Sequence, residues 1–143
     1  MTSPRETLQN LAKSGKLKAE PPDQAEFDGL LRSARNRLPD AQNPGLNPES
    51  RFSLAYDAAH SLPLAALRWH GYRSENRYIV FQILGSTVSL PVAKWRFLDN
   101  CHQKRNRARY DGDYEEDEPL IRELIAVAKE LQAAVEALGP VEA

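Results

Sequence analysis

The chain has 143 residues, the usual length of one folded domain, so the sequence predicts a single domain over residues 1–143. Its formal net charge of −1 excludes a protein that binds nucleic acid through a globally basic surface, but leaves a local basic patch open. The single cysteine, Cys101, excludes an internal disulfide and a zinc site built from cysteines, which indicates a reducing, cytoplasmic setting.

Two helical patterns open the chain. Ser3 and Glu6 have the spacing of a capping box, with proline at the first helical position between them, and predict a peripheral N-terminal helix within residues 1–20. Asp23 can cap a second helix, in which apolar residues recur every three or four positions, and this helix is predicted to stop at Pro39. Its apolar stripe consists of Phe27, Leu30, Leu31, Ala34 and Leu38. Residues 39–48 hold three prolines and a glycine, which predicts a loop and a candidate hinge.

The third helix is predicted to be the central one. Asn47 and Pro48 are typical of a helix start, and Gly71 is typical of a helix end. Apolar residues recur at helical spacing between these points. Pro63 lies inside this pattern, where a missing amide hydrogen and a ring clash cost about 3 kcal/mol. The sequence therefore predicts one bent helix here.

The pattern weakens after the third helix. Tyr78, Phe81 and Leu84 predict a fourth helix that falters at residues 85–89. A restart is predicted at Pro91, because proline is favoured in the first turn of a helix. The restarted helix is predicted to bury a stripe made of Ala93, Phe97, Leu98 and Cys101.

The last helix has the most regular apolar pattern. Pro119 is its predicted start, and Gly139 with Pro140 is its predicted end. These elements together predict an all-α fold, an up-and-down bundle of about five helices whose core is formed by residues 21–138. No apolar run approaches the roughly 20 residues that span a bilayer, so no membrane partner is expected.

A reversal of charge marks the run from His102 to Glu118. Four cations come first and six carboxylates follow, namely Lys104, Arg105, Arg107 and Arg109, then Asp111, Asp113, Glu115, Glu116, Asp117 and Glu118. Helix dipoles favour cations at one helix end and carboxylates at the start of the next, so a structural junction explains the reversal. Arg105 would then pair with Asp111 or Asp113. The alternative is a site that binds phosphate.

The sequence also resembles the HEPN superfamily. The resemblance covers about residues 50–138: a long alanine-rich helix RFSLAYDAAHSLPLAALRWHGYR, then KRNRARYDGDY, then a final amphipathic helix. It implies a helical bundle and a homodimer. Proteins of this superfamily include ribonuclease toxins and companions of nucleotidyltransferases in two-gene modules. In the ribonucleases, an arginine, often followed by Asn, Asp or His, precedes a histidine with four to six residues between.

Arg105 and Asn106 match the start of that motif, but Tyr110 follows where the histidine belongs. An arginine fork binds phosphate, whereas histidine, with a pKa near 6.5, exchanges protons at neutral pH. A tyrosine has an ordinary pKa near 10 and would need strong positive charge nearby to replace it. The ligand-binding residues implied by the resemblance are Arg105, Asn106, Arg109, Tyr110 and Asp111. Arg105 and Tyr110 are the candidates for catalysis.

The remaining candidates are weaker. Arg96 and His102 also have the motif spacing, but they point to different sides of an ideal helix, and His102 is interpreted as a helix-face residue of ordinary exposure. His60 and His70 are too far apart for a metal pair on one helix face, so no metal and no cofactor are predicted. Cys101 is interpreted as a small buried hydrophobe. Trp69 and Trp95 are interpreted as core or interface anchors.

Three functions stay open. The first is a HEPN-like module that does not cleave RNA and binds RNA, a nucleotide or a partner protein, in a two-gene system with a nucleotidyltransferase or an antitoxin. The second is an atypical, metal-independent ribonuclease toxin that uses Arg105 and Tyr110. The third is a purely structural interaction protein.

Overall fold

The computed structural model describes residues 3–74, 79–111 and 118–141, and of residues 108–111 it describes the backbone alone. This part of the chain forms six helices and one small antiparallel sheet, which confirms the predicted all-α helical bundle. The elements are α1 (Pro4–Lys13), β1 (Lys18–Ala19), α2 (Gln24–Ala41), α3 (Pro48–His70), β2 (Tyr72–Arg73), α4 (Leu84–Thr87), α5 (Val92–Asp111) and α6 (Glu118–Glu136). None of the described helices is long and apolar enough to cross a membrane.

Side-chain caps begin the first three long helices where the sequence predicts a start. Ser3 Oγ accepts from the amide of Glu6 in α1, and Asn47 Oδ1 accepts from the amide of Ser50 in α3. Asp23 Oδ1 accepts from the amide of Glu26 in α2. Helix α3 ends at Gly71, whose φ of 87° belongs to the left-handed region that glycine adopts without steric cost.

The core is built by α2, α3 and α6. Helices α2 and α3 are antiparallel, because Glu26 meets Arg68 at one end of the pair and the carbonyl of Ala41 meets Arg51 at the other. Helix α6 runs antiparallel to α2, as the contact of Arg35 with Glu136 and that of Gln42 with Lys129 indicate. Helix α5 lies beside α6 and runs in the opposite direction. Lys94, near the start of α5, pairs with Glu130 of α6.

Two prolines lie inside helices, Pro39 in α2 and Pro63 in α3. The prediction that α2 stops at Pro39 is wrong, since the helix continues to Ala41. Ala41 is fully buried and its carbonyl accepts from Arg51 Nε at 3.0 Å, so packing and this bond outweigh the one hydrogen bond that Pro39 removes. The loop is therefore shorter than predicted, at residues 42–47. Helix α3 is continuous through Pro63, which is buried; a bend there stays a prediction.

The predicted fourth helix is mostly absent from the described residues. Of the described residues between β2 and α5, 79–83 form turns, and the one helix is the four-residue α4, which lies where the sequence pattern falters. Phe81, in a turn, and Leu84, at the start of α4, are fully buried. Their apolar character therefore reflects positions in the core and not the buried face of one long helix. Ser89, at φ 57°, separates α4 from α5. Tyr78 lies outside the described residues.

The small sheet was not predicted. Lys18 pairs with Arg73 and Ala19 pairs with Tyr72, and strands of two residues are too short to show an alternating pattern. Beside it, α1 packs through Leu8 on Leu67 and Ile83, a smaller cluster separate from the main core. The sheet and this cluster attach the N-terminal segment to the end of α3.

Candidate functional site on helix α5

Arg105 is held against the middle of α3. Its Nη1 lies 3.1 Å from Asp57 Oδ1, and its guanidinium carbon lies 4.6 Å from the centre of the Tyr56 ring. About a quarter of the side chain, 25%, stays exposed. The structure thus pairs Arg105 with a carboxylate on another helix. The sequence predicted Asp111 or Asp113 as the partner of Arg105. The side chain of Asp111 and all of Asp113 lie outside the described residues.

His102, three residues before Arg105 on α5, contacts the same Tyr56 ring, and here the sequence interpretation is wrong. The residue is only 6% exposed and not an ordinary helix-face histidine. Its Nδ1 is hydrogen-bonded to the hydroxyl of Tyr56, and its Nε2 lies 3.2 Å from Nδ2 of Asn106. When the Asn106 amide donates to Nε2, the neutral ring carries its proton on Nδ1 and donates it to Tyr56.

We call Tyr56, Asp57, His102, Arg105 and Asn106 the His102 cluster. Helix α3 supplies the first two residues and α5 supplies the other three, one turn apart along α5. The ring centres of Tyr56 and His102 are 5.9 Å apart, and Phe81 contacts both rings. His102 is buried among these rings, and the guanidinium of Arg105 lies over the Tyr56 ring.

The resemblance places three further residues at this site. Arg109, Tyr110 and Asp111 belong to the last turn of α5, whose backbone is described, but their side chains lie outside the described part of the structure. In the structure Arg105 and Asn106, neighbours in sequence, lie beside His102, which the sequence considered only as a motif partner of Arg96. The available sequence signal for His102 was its spacing of four residues from Asn106, which places both side chains on one helix face.

Cys101 is buried next to this cluster, as predicted. Only 1% of the residue is exposed, and burial raises the pKa of its thiol to about 12, although the charge of Lys104 opposes the shift. A thiol in this state is neither a nucleophile nor a metal ligand at neutral pH. The predicted buried stripe of α5 is confirmed only in part. Leu98 is buried, as Cys101 is, but Ala93 is exposed.

The other sequence candidates are apart from one another. Arg96 is exposed and lies 5.7 Å from the Trp95 ring centre, so it does not share a face with the buried His102. His70 Nε2 lies 2.8 Å from the carbonyl of Thr87, and His60 packs on the Tyr56 ring. The described residues contain no group of three or more side chains suited to hold a metal.

A second charged cluster lies at the other end of α3, and sequence reasoning missed it. We call Glu20, Glu26, Arg68 and Arg73 the Arg68 cluster. The Arg68 side chain is 4% exposed and donates from Nε to Glu26 Oε2 at 2.9 Å and from Nη2 to the carbonyl of Pro21 at 2.7 Å. Arg73 Nη2 lies 2.6 Å from Glu20 and 2.7 Å from Glu26.

The Arg68 cluster has matched charges. The hydrogen bond from Arg73 is the main cause that lowers the pKa of Glu20, and the bond to Glu20 in turn raises the pKa of Arg73. Beside the cluster lies an open groove of about 450 Å³ with an apolar floor formed by Leu30, Leu64 and Leu67. Arg68, Arg73 and Glu26 line the groove, and Glu20 pairs with Arg73 beside it, so the four charges of the cluster balance and select no ionic ligand.

Trp69 has a structural contact in the described part of the chain. Its indole Nε1 donates to the carbonyl of Gly139 at 3.1 Å and also lies 3.3 Å from that of Pro140. The residue thus ties the segment after α6 to the end of α3. This agrees with the interpretation of Trp69 as an anchor.

No family model, no curated protein and no solved structure matches this chain.

Proposed function

We propose that this protein is a HEPN-like helical module that binds RNA without cleaving it. The observation that carries the proposal is the state of His102, the histidine three residues before Arg105. It is buried and both of its ring nitrogens are engaged by Tyr56 and Asn106. General acid–base catalysis needs a group within hydrogen-bond reach of the substrate proton, and a histidine in this position cannot reach one.

The charge around Arg105 also favours binding over cleavage. A tyrosine such as Tyr110 would act as a base only if nearby cations stabilised its phenolate. Asp57 already balances the guanidinium of Arg105 at 3.1 Å, so Arg105 supplies less positive charge for that purpose than an unpaired arginine would.

Arg105 keeps a means of binding phosphate. An arginine has five N–H donors, and the described residues give this one a single carboxylate partner. The exposed quarter of the side chain is the part that a phosphate would meet. In this proposal Asp57 and Tyr56 orient the guanidinium, and Asn106 fixes His102.

The resemblance adds a homodimer and a partner, either a nucleotidyltransferase or an antitoxin. Val92, at the start of α5, is 51% exposed and is the large apolar side chain that the described surface leaves most open. Light scattering of the purified chain tests the dimer, and a mass twice that of one chain is expected. A monomeric mass at all concentrations up to 100-fold above those used for binding would contradict it.

Binding and cleavage are separated by one experiment. A fluorescently labelled 20-nucleotide single-stranded RNA is titrated with the protein, and the same RNA is then analysed on a denaturing gel after several hours. We expect binding that weakens as salt increases, and RNA that stays intact.

Cleavage of the RNA, or the absence of both binding and cleavage, would favour one of the two other functions. Cleavage that is lost in Tyr110→Phe would establish the ribonuclease, and neither binding nor cleavage would leave the structural interaction protein. The Arg105→Ala variant, checked for folding by circular dichroism, should bind the RNA more weakly. Unchanged binding in this variant would remove Arg105 from the site.

A further inference from the structure

The outward face of α5 forms a polar stripe that faces away from the His102 cluster. Arg96, Asn100, Gln103 and Arg107 follow one another at intervals of four, three and four residues, which places them on one side of the helix. All four are exposed. We call these four residues the outer stripe.

The side chains of the outer stripe are not committed to the fold. Within the described part of the chain, none of the four makes an ion pair or a side-chain hydrogen bond, and Arg96 only stacks beside Trp95. A third arginine of this helix, Arg105, is by contrast paired across to α3. The outer stripe therefore presents two arginine forks and two amides to an external partner.

The charge along this helix is one-sided. Residues 92–107 contain a single carboxylate, Asp99, which is half-buried beside the stripe. Lys94 is paired with Glu130, whereas Arg96 and Arg107 have no carboxylate partner in the described residues. A surface of this kind attracts an anion.

The length of the stripe indicates an extended anion. Arg96 and Arg107 are eleven residues apart, or about 16 Å along a helix that rises 1.5 Å per residue. The two guanidinium groups cannot converge on one phosphate across this distance. The surface is also convex, whereas small ligands such as nucleotides bind in concave pockets.

The amides favour RNA among extended anions. Asn100 and Gln103 lie between the arginines, and an amide can both donate to and accept from base edges and ribose hydroxyls. The guanidinium of Arg96 lies over the half-buried Trp95 ring, 5.7 Å from its centre, and both groups are of the type on which unpaired bases stack. An acidic peptide would use the arginines but would leave the two amides without a specific role.

We propose that the outer stripe of α5 is the main contact surface for a single strand of RNA, with Arg96 and Arg107 binding phosphates about 16 Å apart. This proposal rests on the proposed function and goes beyond it, because the motif residues Arg105 and Asn106 lie on a different side of the same helix. Arg105 is then an accessory contact, and the outer stripe supplies most of the affinity.

The test measures how affinity depends on salt. Anisotropy of the labelled 20-nucleotide RNA is followed between 50 and 300 mM NaCl for the wild type and for the double variant Arg96→Ala/Arg107→Ala. Each phosphate contact with a single strand contributes about 0.7 to the slope of log K against log salt. The double variant should therefore lose about 1.4 from the slope and bind roughly 25-fold more weakly at 0.1 M salt.

A matched control removes the same charge elsewhere. Arg32 on α2 and Arg122 on α6 are exposed and have no ion pair in the described structure, so Arg32→Ala/Arg122→Ala should keep the wild-type slope. Equal losses in the two double variants would overturn the outer stripe as the site. RNA binding that is unchanged in Arg96→Ala/Arg107→Ala would overturn it as well.

Two competitors define the ligand. Adenosine monophosphate and a peptide of ten glutamates should not displace the RNA at concentrations 100-fold above it. Displacement by the nucleotide would contradict the extended site, and displacement by the peptide would point to an acidic protein instead of RNA. If the wild type binds no RNA at all, the proposed function fails, and this result differs from a failure of the outer stripe alone.

Discussion

Helix α3 carries an arginine-centred cluster on each of its two halves, and the two differ in how far the arginine is consumed by the fold. In the Arg68 cluster, two arginines face two glutamates, and Arg68 is 4% exposed with backbone carbonyls around it. In the His102 cluster, Arg105 has one carboxylate partner among the described residues and is 25% exposed. A saturated arginine fixes chain segments to each other, whereas a partly exposed one keeps donors for a ligand.

The contrast extends to what each cluster joins. Arg68 bonds to Glu26, to the carbonyl of Pro21 and to that of Tyr72, so it ties the segment before α2 to the end of α3. The His102 cluster joins α5 to α3, through a hydrogen bond between His102 and Tyr56 and the ion pair of Arg105 with Asp57. The first cluster is therefore expected to govern stability, and the second to govern both stability and binding.

The largest effect is expected from Arg68→Met. The variant loses charge-assisted bonds from a buried side chain, so the free energy of unfolding should fall by about 3 kcal/mol, measured by urea denaturation. Its RNA affinity at temperatures where it is folded should match that of the wild type. A loss below about 1 kcal/mol would show that the bonds of Arg68 contribute little to the free energy of unfolding.

The Tyr56→Phe variant tests the buried part of the His102 cluster. Removing the hydroxyl leaves a ring nitrogen of His102 without its partner, and the expected loss is about 2 kcal/mol in the free energy of unfolding. Tyr72→Phe is the matched control, because its hydroxyl has no hydrogen bond in the described residues; its effect should stay within about 0.5 kcal/mol. Equal effects in both variants would argue against the bond between Tyr56 and His102.

Arg105→Ala should behave in the opposite way to Arg68→Met. The ion pair with Asp57 is partly exposed, so the free energy of unfolding should change by about 1 kcal/mol or less. RNA affinity should fall about fivefold at 0.1 M salt, the contribution of one phosphate contact. A large loss of stability with unchanged binding would make the two clusters equivalent and would contradict the comparison.

The smallest effect is a pH dependence that belongs to the Arg68 cluster. The bond from Arg73 lowers the pKa of Glu20 from its ordinary value of 4.5, so the unfolded chain binds a proton at higher pH than the folded chain does. This contribution to stability is complete above the unfolded pKa and is lost as the pH falls through the folded pKa.

Thermal unfolding between pH 6 and pH 3 measures this contribution. Glu20→Gln should show a weaker decline in melting temperature below pH 4.5 than the wild type does. Glu49→Gln, at an exposed position outside the cluster, should decline as the wild type does. Parallel curves for all three proteins would show that Glu20 does not carry the dependence.

The long helices could be predicted from sequence because their signals are local. Caps at Ser3, Asp23 and Asn47, and the glycine at Gly71, act through backbone groups only a few residues away. The prediction of a fourth helix was mostly wrong for the converse reason. Phe81 and Leu84 are apolar because they are buried among several elements, and a periodic pattern cannot distinguish such residues from the buried face of a helix.

The contacts of the candidate site were only partly predictable. Arg105 and Asn106 could be proposed as candidates because their type and order match a motif, but the partners of Arg105 and His102 come from distant positions. Asp57 and Arg105 are 48 residues apart, and His102 meets Tyr56 across a similar separation. No local spacing encodes these contacts.

The sequence by itself determined the helical class, the helix starts and the one-sided charge of α5, since each depends on neighbours along the chain. Tertiary structure alone decided that His102 is buried, that Arg105 pairs with Asp57, and that Arg68 is saturated. The physical reason is that burial and ion pairing depend on which helix faces are packed together. Packing joins residues that are far apart in the chain, and it leaves the outer stripe of α5 open.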